Sequence, residues 1–398
     1  MNVILFDDKN RDNLLPLTYT RPSADLRVGI LTIREKWEKY LNTTTSSHTQ
    51  DYLATKYPLI LADENLFING TALPTNQLVE DILSLKPGEA LLKAGVLMAA
   101  KLDKTAAQNF SHDSGDYHNA KETATEFMKI SYPYHIFSYN GDALEADYKL
   151  ITAGRQSQPI SKTNQVMGAE NIFLEEGAIV ECAILNATTG PIYIGKHAEI
   201  MEGSVVRGAL ALCEHAQLKL STKIYGPTTL GPYCKVGGEV NNSVLQGYSN
   251  KGHDGFLGNS VIGEWCNLGA DTNNSNLKNN YAEVKLWDYA TGRFAKTGLQ
   301  FCGLIMGDHS KCGINTMFNT GTVVGVAANI FGAGFPRNMV PSFAWGGAQG
   351  FETYQTDKFF EVAEVVAARR DIKITDEDKK ILENIFNQSA KYRYWETK

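Results

Sequence analysis

The chain has no CxxC pair, although it holds six cysteines among 398 residues. That leaves free, buried thiols in a reducing cytosol as the expectation. It also has no stretch of 18 apolar residues and no signal peptide. Neither membrane insertion nor export is therefore expected, and the reading is a cytoplasmic protein. Basic residues are not in excess: the formal charge is −6, which argues against a general nucleic-acid binder. Glycine is missing from the start of the chain, the first being Gly29. No glycine-rich loop can then offer bare backbone amides to phosphates between Phe6 and Gly29. Hydrophobic residues make up 43% of the chain, enough to bury a sizeable core in two or three domains.

What is present is a period. Ile194, Ile200, Val206, Leu212, Leu218, Ile224, Leu230 and Val236 stand six residues apart. A helix wants apolar residues every three or four, and a two-sided strand wants alternation. A strict six fits a chain that turns a corner every six residues and points one aliphatic side chain inward from each short strand. Three such strands make one coil of a hexapeptide-repeat parallel β-helix. Phe256, Ile262 and Leu268 continue in a second phase. Met306, Cys312, Phe318, Val324 and Ile330 form a third. Insertions in a solenoid map to loops on one face, so the breaks at 237–255 and 269–305 are expected to leave the coil there.

Before the period lies an α/β pattern over 1–152. Asn2–Phe6 and Leu59–Leu61 read as buried strands, and Ile30–Tyr40 and Gln77–Leu85 as helices. Residues 153–171 are polar and read as a linker, 172–336 as the β-helix, and 337–398 as an extension with two helices. Those helices are expected to cover the open last coil, whose free strand edge would invite aggregation. The fold class is thus an α/β head, an all-β parallel β-helix and C-terminal helices.

At 250–272 the run Asn250-Lys251-Gly252-His253-Asp254-Gly255-Phe256-Leu257-Gly258, followed by Asn267-Leu268-Gly269-Ala270, is more specific. It resembles the acetyltransferase domain of the bifunctional glucosamine-1-phosphate acetyltransferase and N-acetylglucosamine-1-phosphate uridylyltransferase. The opening, with Leu15-Pro16-Leu17-Thr18, Arg21-Pro22, Arg27 and Gly29, resembles a Bacteroidetes-type form of that family. The resemblance implies a left-handed coil, a homotrimer, acetyl-CoA as donor and a sugar phosphate as acceptor. It implies His253 as general base, a role suited to an imidazole that is neutral at working pH. It further implies Asn267, Asn276, Lys278 and Lys223 near the sugar, and Ala270, Gly313, Ile314 and Gly332 near the donor. In the head it implies Arg21 and Arg27 near phosphates and Asp63 on magnesium, with UTP as a further substrate.

Four positions depart from that pattern: Phe256 for a tyrosine, Asp271 for a glycine, Asn241 for a lysine and Lys223 for an arginine. They put the acceptor in question more than the acetyl transfer. An acyltransferase on another amino sugar or an alcohol, and a non-catalytic trimeric scaffold, remain open. Asn267 is as well placed for an asparagine ladder at a corner. His197 and His215 lie one coil apart, and Tyr233 holds the next rung, so a stacked corner ladder is expected rather than a metal pair. Trp287 reads as the small core of its own excursion. Asp63, read as ending a strand, is placed like many structural acids.

Overall fold

The apolar run Asn2–Phe6 is strand β1, buried along four of its five residues, and it organises the head. The computed structural model describes residues 2–396, with only the backbone of Ser114. Strands β2 (Thr45–His48), β3 (Glu64–Asn69), β4 (Ala90–Lys93), β5 (Val96–Asp103) and β6 (Ala120–Glu122) complete a six-stranded sheet in the order β2-β1-β3-β5-β4-β6. β1 runs parallel to β2 and β3, whereas β5 is antiparallel to both its neighbours. Helix α1 (Ile33–Leu41) starts at a capping box in which Thr32 and Glu35 satisfy each other's backbone amides. Its Trp37 is fully buried and donates to the Ala72 carbonyl at 2.8 Å.

Leu59–Leu61 is not a strand. Leu59 and Ile60 are 37% and 58% exposed, and the buried strand begins five residues later, at Glu64. Asp63 therefore precedes β3 instead of ending a strand, and it is exposed.

The chain divides into two units. Met1–Leu14, Thr20–Leu26 and Leu31–Tyr132 form the first; Leu15–Tyr19, Arg27–Ile30 and Pro133–Lys398 form the second. Helices α2 (Asp51–Ala54), α3 (Asn76–Leu83) and α4 (Lys104–Gln108) belong to the first, α5 (Pro133–Ser138) and α6 (Asn140–Thr152) to the second. The expected boundary at 152 thus moves to 132, and hydrogen bonds within the second unit explain why. Buried Asn140 accepts from the Gly29 amide at 2.8 Å and from the Thr229 hydroxyl at 3.0 Å. Asp147 accepts from the Ile30 amide at 2.8 Å. Arg27 was expected near phosphates. It is buried instead, with its amide and guanidinium on the side chain and carbonyl of Gln246.

The second unit is the expected parallel β-helix, built from sheets of six, nine and ten strands. Its first strand, Gln165–Met167, lies inside the stretch expected as a linker and pairs with Ile184–Asn186. The inward residues form one continuous core from Ile172 to Ala344. Regular coils repeat every eighteen residues, as in Leu212 opposite Leu230. The first phase break is no loop. Leu230 stands opposite Leu245, so that coil is shortened to fifteen residues, and the next pairing is Leu245 with Ile262. That second, seventeen-residue coil steps only five residues from Leu257 to Ile262, so Leu257 is inward at 1% exposure in place of the expected Phe256. The second break is a true excursion, since Ile262 pairs with Met306. It contains an antiparallel hairpin, Lys285–Asp288 with Arg293–Lys296.

The edge of the ten-stranded sheet in the last coil is paired by a further strand, and both C-terminal helices pack on Phe343 in that coil. Gly350–Thr353 pairs antiparallel with Ala344–Gly347, and Trp395 packs against the core there. Helix α7 (Thr356–Ala368) runs back along the solenoid, with Phe359 edge-on to Phe343 at 5.3 Å and to His309 at 5.6 Å. Helix α8 (Asp376–Gln388) carries the second capping box, Thr375 with Asp378. No helix among the described residues is long and apolar enough to cross a membrane.

Candidate functional site

One corner of the solenoid carries a continuous ring stack. His197, His215, Tyr233, Tyr248 and Trp265 lie nearly parallel, with centroids 5.0, 4.8, 5.3 and 4.4 Å apart, and His309 follows at 6.3 Å. Each takes a left-handed φ between 54° and 61°. That conformation costs a side chain roughly 1–2 kcal/mol, and each stack returns about 0.5–1.5 kcal/mol. The corner ladder expected at His197 and His215 is therefore present and extends over six coils. Among the described residues no group of three or more His, Cys, Asp or Glu could hold a metal ion.

Tyr248 and Trp265 form a wall of a cavity of about 750 Å³. Asn250 and Asn267, paired neighbours on the outer face of the ten-stranded sheet, form its floor. Lys219, Lys235 and Lys311 enter from three coils, and Arg369 and Arg370 from the end of α7. Among the described residues no carboxylate lines it. Burial lowers the Lys235 pKa, and the nearby Arg370, Lys219 and Arg369 charges add to that effect. Arg370 is held by the Tyr233 carbonyl at 3.3 Å. A cavity this crowded with cations is suited to phosphate groups.

His253 is exposed between this cavity and a second of about 660 Å³, and lines both. Asp254 and Asp271 line the second cavity, so its two sides differ in charge. The turn that carries His253 is tightly built. Gly255 has φ +115°, and a Cβ there would meet the Thr272 carbonyl oxygen at 2.2 Å. A Cβ at Gly237 would meet the Gly252 oxygen at 2.8 Å and the His253 nitrogen at 3.2 Å. These positions need glycine for close backbone approach.

Beneath the turn lies Lys251. In its sheet the inward position is Val180, Ile200, Leu218 and Val236 in successive coils, then Lys251. Leu268, Cys312 and Ile330 continue that line. A lysine thus replaces an aliphatic residue in the core, at 1% exposure. Its ammonium donates to the carbonyls of His253 at 2.9 Å and Gly237 at 3.1 Å. Burial pushes its pKa down to about 8, against the opposing pull of Asp254 and Asp271. The sequence reading missed this residue. Its signal was a cation at an inward register position.

Four of the residues singled out in the sequence come together here: His253, Asn267, Ala270 and Ile314 line the same cavity. Gly313 is one residue from that wall and packs its backbone against Gly269. The others lie elsewhere. Asn276 donates to Asn259 at 2.8 Å, and Lys278 donates to the Glu283 carbonyl at 2.8 Å and lines a different cavity. Lys223 points outward from a strand of the six-stranded sheet. Gly332 has only the Gln349 amide within reach of a Cβ, at 3.4 Å.

In the head, the carboxyl ends of β1 and β3 hold Asp7, Asp8 and Asn69, the edge where open α/β sheets place ligands. Asp7 accepts from the Ser23 amide at 2.8 Å and the Thr49 hydroxyl at 2.5 Å, and burial raises its pKa. Burial also pushes Asp8 upward, but the Lys129 ammonium at 3.0 Å and the Asn69 amide at 2.9 Å outweigh it and lower its pKa. Asp63 lies at the opposite end of β3, away from this edge, which does not fit a magnesium ligand there. Arg21 is buried, with its guanidinium 3.4 Å from the Thr20 hydroxyl.

Residues 3–156 match the family model described as a sugar nucleotidyl transferase. No curated protein matches the chain. Among solved structures it is similar to the polysialic-acid-specific acetyltransferase NeuO, at 11% identity and a TM-score of 0.29, over 51% of this chain and 98% of that one. It is also similar to a UDP-N-acetylglucosamine acyltransferase from Arabidopsis, at 13% identity and a TM-score of 0.26, over 60% and 98%. The corresponding enzyme LpxA from Bacteroides fragilis stands at 11% and 0.26, over 57% and 97%. Identities this low transfer no substrate to this chain.

Proposed function

We propose that the solenoid is an acetyl-CoA-dependent N-acetyltransferase acting on a sugar phosphate, with glucosamine 1-phosphate favoured and His253 as general base. The observation that carries this reading is the placement of His253. Its imidazole makes no hydrogen bond to a described residue and stands at the rim of a cation-lined, acid-free cavity. The cations suit the phosphates of the donor, and Asn267 and Ala270 line the path toward the histidine. In the reaction the sugar amine attacks the thioester carbonyl and passes a proton to His253. The tetrahedral intermediate then expels the coenzyme thiolate, which takes up a proton. Lys251, fixed to the His253 carbonyl, sets the height of the turn.

The family match of the head supports sugar nucleotidyl transfer there, and in our reading the acetylated sugar phosphate is the acceptor, UTP the donor, and Asp8 rather than Asp63 stands toward magnesium. A cytoplasmic homotrimer belongs to the same reading.

Thiol release from acetyl-CoA, with and without glucosamine 1-phosphate, tests it. His253→Ala is expected to lower the rate about 10²–10⁴-fold while the fold persists. Near wild-type turnover in that variant would remove His253 from the mechanism. No release with any amino sugar or alcohol would favour the scaffold reading.

A further inference from the structure

We infer that the solenoid unit carries a second ligand site, for a phosphorylated nucleotide, at the foot of the 285–296 hairpin. The hairpin, residues 337–339 and residues 391–394 enclose a cavity of about 850 Å³ that shares no lining residue with the His253 cavities. That volume is in the range of sites that hold a whole small molecule rather than a single ion. Lys278, Lys285, Arg337 and Lys391 line it, and among the described residues no carboxylate does. An anion is therefore the matching charge.

The rest of the wall is aromatic. Phe294 keeps 42% of its surface open, and an exposed ring suits a planar partner. Trp287 stands between Phe294 and Tyr392, edge-on to both at 5.4 and 6.2 Å. It is the small core expected of the excursion. Yet its indole N–H is buried without an acceptor among the described residues. A buried donor left unpaired is costly, and a ligand oxygen or ring nitrogen would satisfy it. The cations are held ready: the Arg337 guanidinium lies 4.7 Å over the Tyr394 ring and the Lys391 ammonium 5.0 Å over that of Tyr392. Phosphate alone would use the charges and leave the rings idle. A nucleotide uses both, stacking its base and placing its phosphates on the cations.

The same chemistry occurs in free nucleoside di- and triphosphates and in the 3′-phosphoadenosine diphosphate half of coenzyme A. Calorimetric titration of the full-length protein with UDP, ADP, adenosine 3′,5′-bisphosphate, coenzyme A and inorganic phosphate separates them. At least one nucleotide is expected to bind saturably below about 1 mM. The double variant Lys285→Gln/Arg337→Gln should weaken that binding at least tenfold, Trp287→Phe should weaken it, and His253→Ala should leave it unchanged. No saturable binding, or binding indifferent to the double variant, would overturn the inference. So would inorganic phosphate binding as tightly as any nucleotide. Binding of coenzyme A alone that Arg370→Gln weakens equally would assign the ligand to the His253 cavity and defeat a second site. None of these readouts depends on acetyl transfer, so the inference and the proposed function can fail separately.

Discussion

The buried lysine under the candidate base should make the stability of this protein depend on pH in a way that a single substitution removes. Lys251 titrates near 8 in the folded chain, against 10.5 for an ordinary lysine. Below pH 8 it is charged in both folded and unfolded states, and the folded state bears the full cost of the buried charge. Between pH 8 and about 10.5 the folded chain has released the proton while the unfolded chain still holds it. The unfolded state then binds more protons, so stability rises with pH across that window. At 1.36 kcal/mol per pH unit the rise is about 3 kcal/mol. Lys251→Met keeps an unbranched side chain, shorter by one atom, and fits a position that is aliphatic in the neighbouring coils. Urea unfolding of both proteins near pH 7, 9 and 10.5 isolates the lysine, because every other titrating group is common to the two and cancels. The native protein should gain about 3 kcal/mol relative to the variant over that range. A difference that changes by less than about 1 kcal/mol would refute the burial argument.

The Asp63→Ala change should leave pyrophosphate release from UTP and N-acetylglucosamine 1-phosphate unaltered, whereas Asp8→Asn should reduce it at least tenfold with unchanged circular dichroism. The reverse pattern would return the metal to Asp63. The Arg369→Gln/Arg370→Gln pair should raise the KM for acetyl-CoA about tenfold, the loss of roughly one charge-assisted contact, with kcat little changed. A fall in kcat at constant KM would place those arginines at the reacting centre. Light scattering at micromolar concentration should give the mass of a trimer, and a monomer would contradict the proposed homotrimer.

The solenoid was legible because each coil submits one inward side chain every six residues, and Ile194 to Val236 keep that count without error. Legibility failed where the count changed. After the coil of fifteen, a coil of seventeen steps only five residues from Leu257 to Ile262, so the inward position is Leu257 and not Phe256, and no propensity marks such a deletion. The head failed for a different reason. Leu59–Leu61 is more apolar than Glu64–Asn69, but the sheet buries the latter between β1 and β5. Pairing partners far along the chain decided burial, and local hydrophobicity did not. At the site, His253 stood out by its glycines. Its cationic surroundings did not, because Lys219, Lys235 and Lys311 come from separate coils and Arg369 and Arg370 from a helix more than a hundred residues further on.

Departures from the solenoid's own rules concentrate where His253 sits, and this supports its role without any resemblance. The coil is shortened, its inward position holds a lysine, and its turn demands a glycine at φ +115°. Each of these costs stability: an interrupted register, a desolvated charge, and a glycine that surrenders more backbone entropy than any other residue. A scaffold has no use for them, since the regular coils on either side stack without such features. Proteins retain locally unfavourable choices chiefly at functional sites. Here the three act on one object. The short coil draws the turn in, the lysine ties the His253 carbonyl to that of Gly237 from inside, and the glycines let the backbones close to contact. The imidazole itself stays exposed, at the rim of a cavity lined by cations. If Lys251→Met left acetyl transfer at the wild-type rate while His253→Ala abolished it, the turn would be rigid without its inner tie. The lysine would then need another explanation.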